Sequence, residues 1–121
     1  MVLLTMMLGW LQAAPLSPLA DEDLTVLVSG TSLEWRPGPV SGAEYFYPGG
    51  VYLSADRTQV WGRWWADEGH LCSRYDLEGA ETRCLLVVRD SRGHFYAAQS
   101  PEELSEGRMA EIRFVTIDNR N

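Results

Sequence analysis

The chain has 121 residues, enough for one domain, and its 45% hydrophobic and 22% charged residues are typical of a soluble globular protein. Its formal net charge is -7, and all ten basic residues are arginines. The acidic balance argues against nucleic acid and anionic membrane surfaces as partners, because both require a cationic face. The chain has no lysine, which excludes Schiff-base chemistry and a P-loop. Its two cysteines and two histidines do not provide a four-ligand Cys/His zinc site with the usual ligand spacing. We therefore expect neither a metal nor a cofactor.

The first 20 residues carry no charge, and three acidic residues follow them directly. The apolar stretch from Val2 to Leu11 has ten residues, which fits the hydrophobic region of a secretory signal. A bilayer span needs about 20 residues, so this stretch is too short to cross a membrane. The sequence predicts a signal peptide over 1–20, cut after Ala13 or Ala20, and a single domain over 21–121. That domain is expected in the periplasm or outside the cell, with no membrane span after cleavage; an uncleaved anchor and a buried cytosolic element are the alternatives.

The domain begins with a segment of helical spacing. Its first three residues are acidic, and Leu24, Leu27 and Val28 follow at intervals that place them on one helix face. Acidic side chains favour a helix N-terminus, and Gly30 can end the helix. A short helix over 21–28 is predicted, with a first strand as the alternative.

Short apolar runs separated by turn-forming residues fill most of the chain after this helix. The predicted strands, in chain order, are 31–35, two strands joined by Pro48-Gly49-Gly50 within 43–54, 59–66, 70–75, 82–89, 94–99 and 111–117. Between the last two, Ser100 and Glu103 flank Pro101 in a capping-box pattern that predicts one or two helical turns. Seven or eight short strands joined by glycine turns predict an all-β fold, either a small antiparallel β-barrel or a sandwich.

Cys72 and Cys84 are the only cysteines, and they flank a polar stretch between two predicted strands. An exported chain meets an oxidising compartment, in which such a pair forms a disulfide. The bridge would close a loop of 13 residues, and a loop of that length is worth about 3 kcal/mol of stability. A redox or metal-binding pair is the alternative, but a redox pair usually has the C-x-x-C spacing.

Aromatic residues are concentrated on one predicted hairpin and on the strand after it. The candidate binding residues are Tyr45, Tyr47, Tyr52, Trp61, Trp64 and Trp65. Strand alternation places Trp61, Arg63 and Trp65 on one side of their strand and Gly62 on the other, and a glycine in mid-strand marks a bend or a close approach. Tyr47 and Trp65 are predicted to be exposed. The alternative for the whole set is that large rings fill the core of a small barrel.

The order of these motifs resembles that of a known group of proteins. The motifs that carry the resemblance are, in order, Gly30-Thr31, the aromatic run YFYPGG at 45–50, WGRW at 61–64, the pair Leu71-Cys72 and Cys84. The chain is similar in this respect to small exported lipocalin-like proteins of unknown function from Gram-negative bacteria. The resemblance implies a small antiparallel barrel outside the cytoplasm, and it does not point to any particular activity. The disulfide-bearing barrel is also similar to periplasmic inhibitors of lysozyme.

Catalytic candidates are few. His70 follows the acidic residues Asp67 and Glu68, and His94 follows Asp90, so a carboxylate could orient either imidazole as a base. Both histidines also begin predicted strands just after a glycine turn, where polar residues normally face solvent. We expect no enzyme activity.

Two binding functions remain. The first is a small apolar ligand inside the barrel, which predicts a cavity lined by Val60, Trp64, Leu86 and Phe114. The second is a cell-envelope protein-interaction or hydrolase-inhibitor module with a filled core and an exposed aromatic loop with an acidic rim. The net charge of -7 would speed its capture of a cationic partner.

Overall fold

The structure, a computed structural model, describes residues 15–36, 43–55 and 58–117. This part of the chain forms nine strands and two short helices. In chain order they are β1 (Ser17–Pro18), α1 (Asp21–Val28), β2 (Thr31–Arg36), β3 (Ala43–Tyr47), β4 (Val51–Ala55), β5 (Gln59–Asp67), β6 (His70–Tyr75), β7 (Arg83–Arg89), β8 (Phe95–Ala98), α2 (Pro101–Ser105) and β9 (Ala110–Thr116).

Strands β2 to β9 form a closed antiparallel barrel. Each of them pairs with the strand before and the strand after it, and β9 returns to pair with β2 over six residues, from Thr31 opposite Thr116 to Arg36 opposite Glu111. Closure leaves none of these strands with a free edge for pairing with another chain. The predicted all-β antiparallel fold is confirmed, and of the two predicted forms the barrel is the one adopted.

The predicted helix α1 lies across one end of the barrel. The carboxylate of Asp21 accepts hydrogen bonds from the backbone nitrogens of Glu68 and Gly69, in the turn between β5 and β6, at 3.1 and 3.0 Å. The C-terminal end of α1 leads into β2, and its side chains Leu24 and Val28 are fully buried in the core. The helix therefore closes the barrel end at which β2 begins and β5 ends.

The segment before α1 is also part of the folded domain. The short strand β1 pairs with β7, with Ser17 opposite Arg89 and Pro18 opposite Val88, and Leu19 belongs to the buried core. The sequence assigned these residues to a leader ending at Ala20, and the rest of that leader, residues 1–14, lies outside the described residues. Among the described residues, no helix has both the length and the apolar character to cross a membrane.

The cysteines form the predicted disulfide. Cys72 on β6 and Cys84 on β7 stand opposite each other in the sheet with their Cα atoms 4.0 Å apart, and the bond joins them. A structural disulfide of this kind is typical of proteins in oxidising, extracytoplasmic compartments.

Candidate functional site

The interior of the barrel is filled by aromatic side chains. Phe46 packs against Tyr52 with ring centroids 5.3 Å apart and against Trp64 at 5.9 Å in an edge-to-face contact. Tyr52 is 1% exposed and Trp64 5% exposed, and the Trp64 indole donates a hydrogen bond to the carbonyl oxygen of Tyr47 at 2.8 Å. Two of the six candidate binding residues, Tyr52 and Trp64, therefore lie inside the core.

A polar cluster is found at the end of the barrel away from α1. The Tyr52 hydroxyl donates to Glu44 Oε1 at 2.7 Å, and the same carboxylate oxygen accepts from Arg83 Nη2 at 2.9 Å. Burial, together with the negative charge of Glu44, raises the pKa of Tyr52 far above its usual value, so this side chain stays a neutral donor. Among the described residues, every buried side-chain nitrogen or oxygen has a hydrogen-bond partner.

The four residues expected to line a cavity do not all face the inside of the barrel. Val60, Trp64 and Phe114 share the inner side, but Leu86 faces the other way, because its neighbours Leu85 and Val87 on β7 are the residues that join the core cluster. The run from Leu85 to Val88 is buried on both faces, and alternation within such a run cannot be read from hydrophobicity. Including Leu86 in the inner set was wrong for this reason.

The other four candidate residues lie on the outer surface of β3 and β5. Tyr45 and Tyr47 stack with ring centroids 6.3 Å apart, and Tyr47 and Trp61 lie 6.1 Å apart with their rings tilted by 31°. Trp61 is 49% exposed and Trp65, on the same side of β5, is 37% exposed. We call Tyr45, Tyr47, Trp61 and Trp65 the aromatic face.

The aromatic face has an apolar base. Leu53 on β4 stands in register between Tyr45 and Trp61, and it is only 5% exposed although it lies outside the core cluster. Its burial shows that the rings on either side cover it. The rings are therefore held against the sheet, which is how a preformed binding surface keeps its ordering cost low.

Two arginines adjoin the aromatic face. Arg63 lies between Trp61 and Trp65 on the outer side of β5, and it stands directly opposite Arg74 on β6. Both arginines are exposed, and both line an open cleft of about 430 Å³ together with Trp65, Leu77 and the acidic side chains Asp76 and Glu78. Alternation along β5 places Arg63 beside the tryptophans, but the sequence does not show that Arg74 stands opposite it, because that depends on the register of β5 and β6.

Gly62 explains how β5 and β6 approach each other at this point. A side chain at position 62 would collide with the backbone of Arg74 and Tyr75. Tyr52 and Tyr75 flank Gly62 in register. Because Gly62 has no side chain, their rings pack together on the inner side with their centroids 5.9 Å apart. Of the two features predicted for this glycine, a bend or a close approach, the structure shows the close approach.

The two histidines follow turns and lie at the starts of β6 and β8. His70 Nδ1 lies 3.0 Å from the carbonyl oxygen of Glu68, and the exposed His94 lies 3.5 Å from Asp90. Asp90 mainly organises its own turn, because its carboxylate accepts the backbone nitrogens of Arg92 and His94, each at 2.9 Å, and these bonds lower its pKa. In the described ranges, no group of three or more His, Cys, Asp or Glu side chains could hold a metal ion.

The fold and the site together define a small closed β-barrel with a filled interior and an aromatic outer face. No protein-family model matches the chain, and neither a curated protein nor a solved structure matches it significantly. The resemblance to exported lipocalin-like barrels therefore stays a prediction.

Proposed function

We propose that the protein is an exported, non-enzymatic binding module of the periplasm or cell surface, and that its partner in the cell envelope binds to the aromatic face. The observation that carries this proposal is the separation of the aromatic residues into two groups. Phe46, Tyr52 and Trp64 lie inside the barrel, whereas Tyr47 and Trp61 form a tilted ring pair on its outside.

The exposure of two tryptophans on one strand is energetically unfavourable for the protein alone and is explained by binding. Burying a large ring removes apolar area from water and is worth about 1.5 to 3 kcal/mol, so a half-exposed Trp61 and a partly exposed Trp65 on one side of a single strand forgo stability. Tryptophan, tyrosine and arginine are the residues that most often dominate binding energies at protein surfaces. The filled core and the exposed aromatic surface support the interaction module over a small apolar ligand inside the barrel.

Co-sedimentation with a cell-envelope fraction tests the proposal. The purified protein is mixed with the total envelope fraction of a Gram-negative host, the envelope is pelleted, and the bound share is measured. We expect the natural protein to pellet and the double variant Tyr47→Ala/Trp61→Ala to stay in solution. The matched control is Val26→Ala, which removes an exposed apolar side chain from α1, away from the aromatic face.

A thermal melt of each variant separates loss of binding from loss of fold, because Trp61 also covers Leu53. Native mass spectrometry tests the interior. A small molecule that is released only on denaturation would favour a ligand inside the barrel and would count against our proposal. Equal pelleting of the natural protein and the Tyr47→Ala/Trp61→Ala variant would also refute it.

A further inference from the structure

Arg63 and Arg74 form a like-charged pair across two neighbouring strands. Directly opposite residues of an antiparallel pair have Cβ atoms about 4.5 to 5.5 Å apart, and like charges at that distance destabilise the sheet. Three other arginines form ion pairs in the described part of the chain, but neither Arg63 nor Arg74 pairs with a described carboxylate. Two positive charges that form no ion pair with a described residue therefore stand side by side in a chain whose net charge is -7.

The surroundings of the pair indicate what would compensate these charges. Guanidinium groups bind carboxylates and phosphates through paired, charge-assisted hydrogen bonds, so the pair is suited to an anion. The cleft that holds both arginines also contains the Trp65 indole and the acidic side chains of Asp76 and Glu78. An indole offers a flat apolar surface to the C–H face of a sugar ring, and carboxylates accept hydrogen bonds from sugar hydroxyls.

We propose that this cleft binds a glycan that carries uronic-acid carboxylates, with one carboxylate held by Arg63 and Arg74 and its sugar ring placed against Trp65. The inference rests on the proposed function, since it uses the aromatic face as the binding surface and names the chemistry of the partner. Trp61 and Tyr47 then extend the platform along the glycan, because their rings continue from Arg63 across β4 to β3.

A carboxylate matches the cleft better than a phosphate. Asp76 and Glu78 lie in the same cleft as the two arginines, so a singly charged group suffers less repulsion than a doubly charged one. The overall charge of -7 does not prevent such binding, because the Debye length is about 8 Å at physiological ionic strength and distant acidic residues are screened. A cationic protein partner would instead be repelled by the exposed arginines at the centre of this surface.

The test compares a charged glycan with its neutral form. Oligogalacturonate and its fully methyl-esterified counterpart share the same sugar rings and linkages, and binding of each is followed by tryptophan fluorescence at about 0.15 M salt. We expect oligogalacturonate to bind and its ester to bind about tenfold more weakly or not at all. Arg63→Ala/Arg74→Ala should lower the affinity about tenfold. The variant Arg63→Lys/Arg74→Lys should have an affinity between those of the natural protein and the double alanine variant, since it keeps the charge but loses the paired donors.

The control Arg92→Ala/Arg113→Ala removes the same number of positive charges from β9 and from the turn before β8, and it should bind like the natural protein. A second readout is independent of the glycan: Arg63→Glu should raise the midpoint of thermal unfolding, because it replaces a repelling cross-strand pair with an attracting one. The same substitution should abolish oligogalacturonate binding. A role of Arg63 in folding alone would lower the unfolding midpoint instead.

The outcomes also separate this inference from the proposed function. Equal binding of the acid and the ester, or stronger binding of a phosphorylated dextran, overturns the uronate site and leaves the aromatic face as a binding surface. Envelope pelleting that depends on Trp61 but survives Arg63→Ala/Arg74→Ala and excess oligogalacturonate indicates a protein partner and also overturns it. Pelleting that does not depend on Trp61 refutes the proposed function itself.

Discussion

Gly62 lies so close to the backbone of Arg74 on the neighbouring strand that no side chain fits between them. Gly62 is preceded by Trp61 and followed by Arg63, so this contact sets the distance between the β5 and β6 parts of the candidate site. The stability of the barrel and the arrangement of its outer face therefore depend on the same position.

Gly62→Ala should lower the free energy of unfolding by about 2 to 4 kcal/mol, because the new methyl group must displace the Arg74 carbonyl. Chemical denaturation measures the change. The control is Gly79→Ala, where the added group would meet nothing but the backbone has a positive φ of 79°, and such a site should cost only about 1 kcal/mol. Equal losses at the two positions would contradict the close approach.

The Cys72–Cys84 bond should contribute about 3 kcal/mol, because it removes the loop-closure entropy of the unfolded chain. We expect Cys72→Ala/Cys84→Ala to unfold at a correspondingly lower denaturant concentration. Adding a reductant should bring the natural protein to the stability of the variant and leave the variant unchanged. A reductant effect of the same size on both proteins would mean that the bond is not its cause.

Asp90 should make the stability depend on acidic pH. Its folded pKa lies below the ordinary value of 3.8, first because of the hydrogen bond from the His94 backbone nitrogen and then because of those from Arg92 and Tyr96. A lowered pKa means that the ionised carboxylate stabilises the fold above the unfolded pKa, and that this contribution is lost as the pH falls through the folded pKa.

The difference in unfolding free energy between the natural protein and Asp90→Ala should therefore be constant near neutral pH and shrink below about pH 4. Denaturation at a series of pH values from about 6 to about 2.5 measures it. A difference that stays constant across this range would show that the carboxylate is not ionised preferentially in the folded state.

The residues before α1 should matter for stability. A chain that begins after Ala20 lacks β1 and the buried side chain of Leu19, and loss of one buried leucine side chain costs about 2 to 5 kcal/mol. A chain that begins after Ala13 keeps both. We expect the longer chain to melt at a higher temperature and Leu19→Ala within it to remove most of the advantage. Identical melting curves of the two chains would show that β1 adds nothing to the fold.

Much of the architecture was readable from the sequence. Turn residues such as Pro48, Gly49 and Gly50 separate short apolar runs. The chain reverses at such residues because proline and glycine readily adopt the φ values that tight turns require. Eight strands were predicted in this way to within one residue of their observed bounds, and helical spacing and capping residues predicted the helix over 21–28 and the helical turn after Ser100. The short strand β1 was not predicted, because its residues were assigned to the leader. The disulfide followed from the presence of only two cysteines, from their wide spacing and from the expected export to an oxidising compartment.

Only part of the candidate site could be predicted from the sequence. Alternation along β5 correctly separated Trp61, Arg63 and Trp65 from Gly62 and Trp64, because successive side chains of a strand point to opposite faces. Of the two residues that alternation predicted to be exposed, Trp65 is exposed and Tyr47 is half-buried. Alternation failed for Leu86, whose strand is apolar on both faces.

The sequence by itself thus determined the strands, the turns, the disulfide and the acidic charge, since these depend on local backbone preferences and on residue types. Only the tertiary structure decided that the sheet closes, that Tyr52 and Trp64 fill the interior, and that Arg63 stands opposite Arg74 beside the exposed tryptophans. The physical reason is that strand register joins residues that are distant along the chain. A shift of one residue in that register would exchange the core and the surface of every strand.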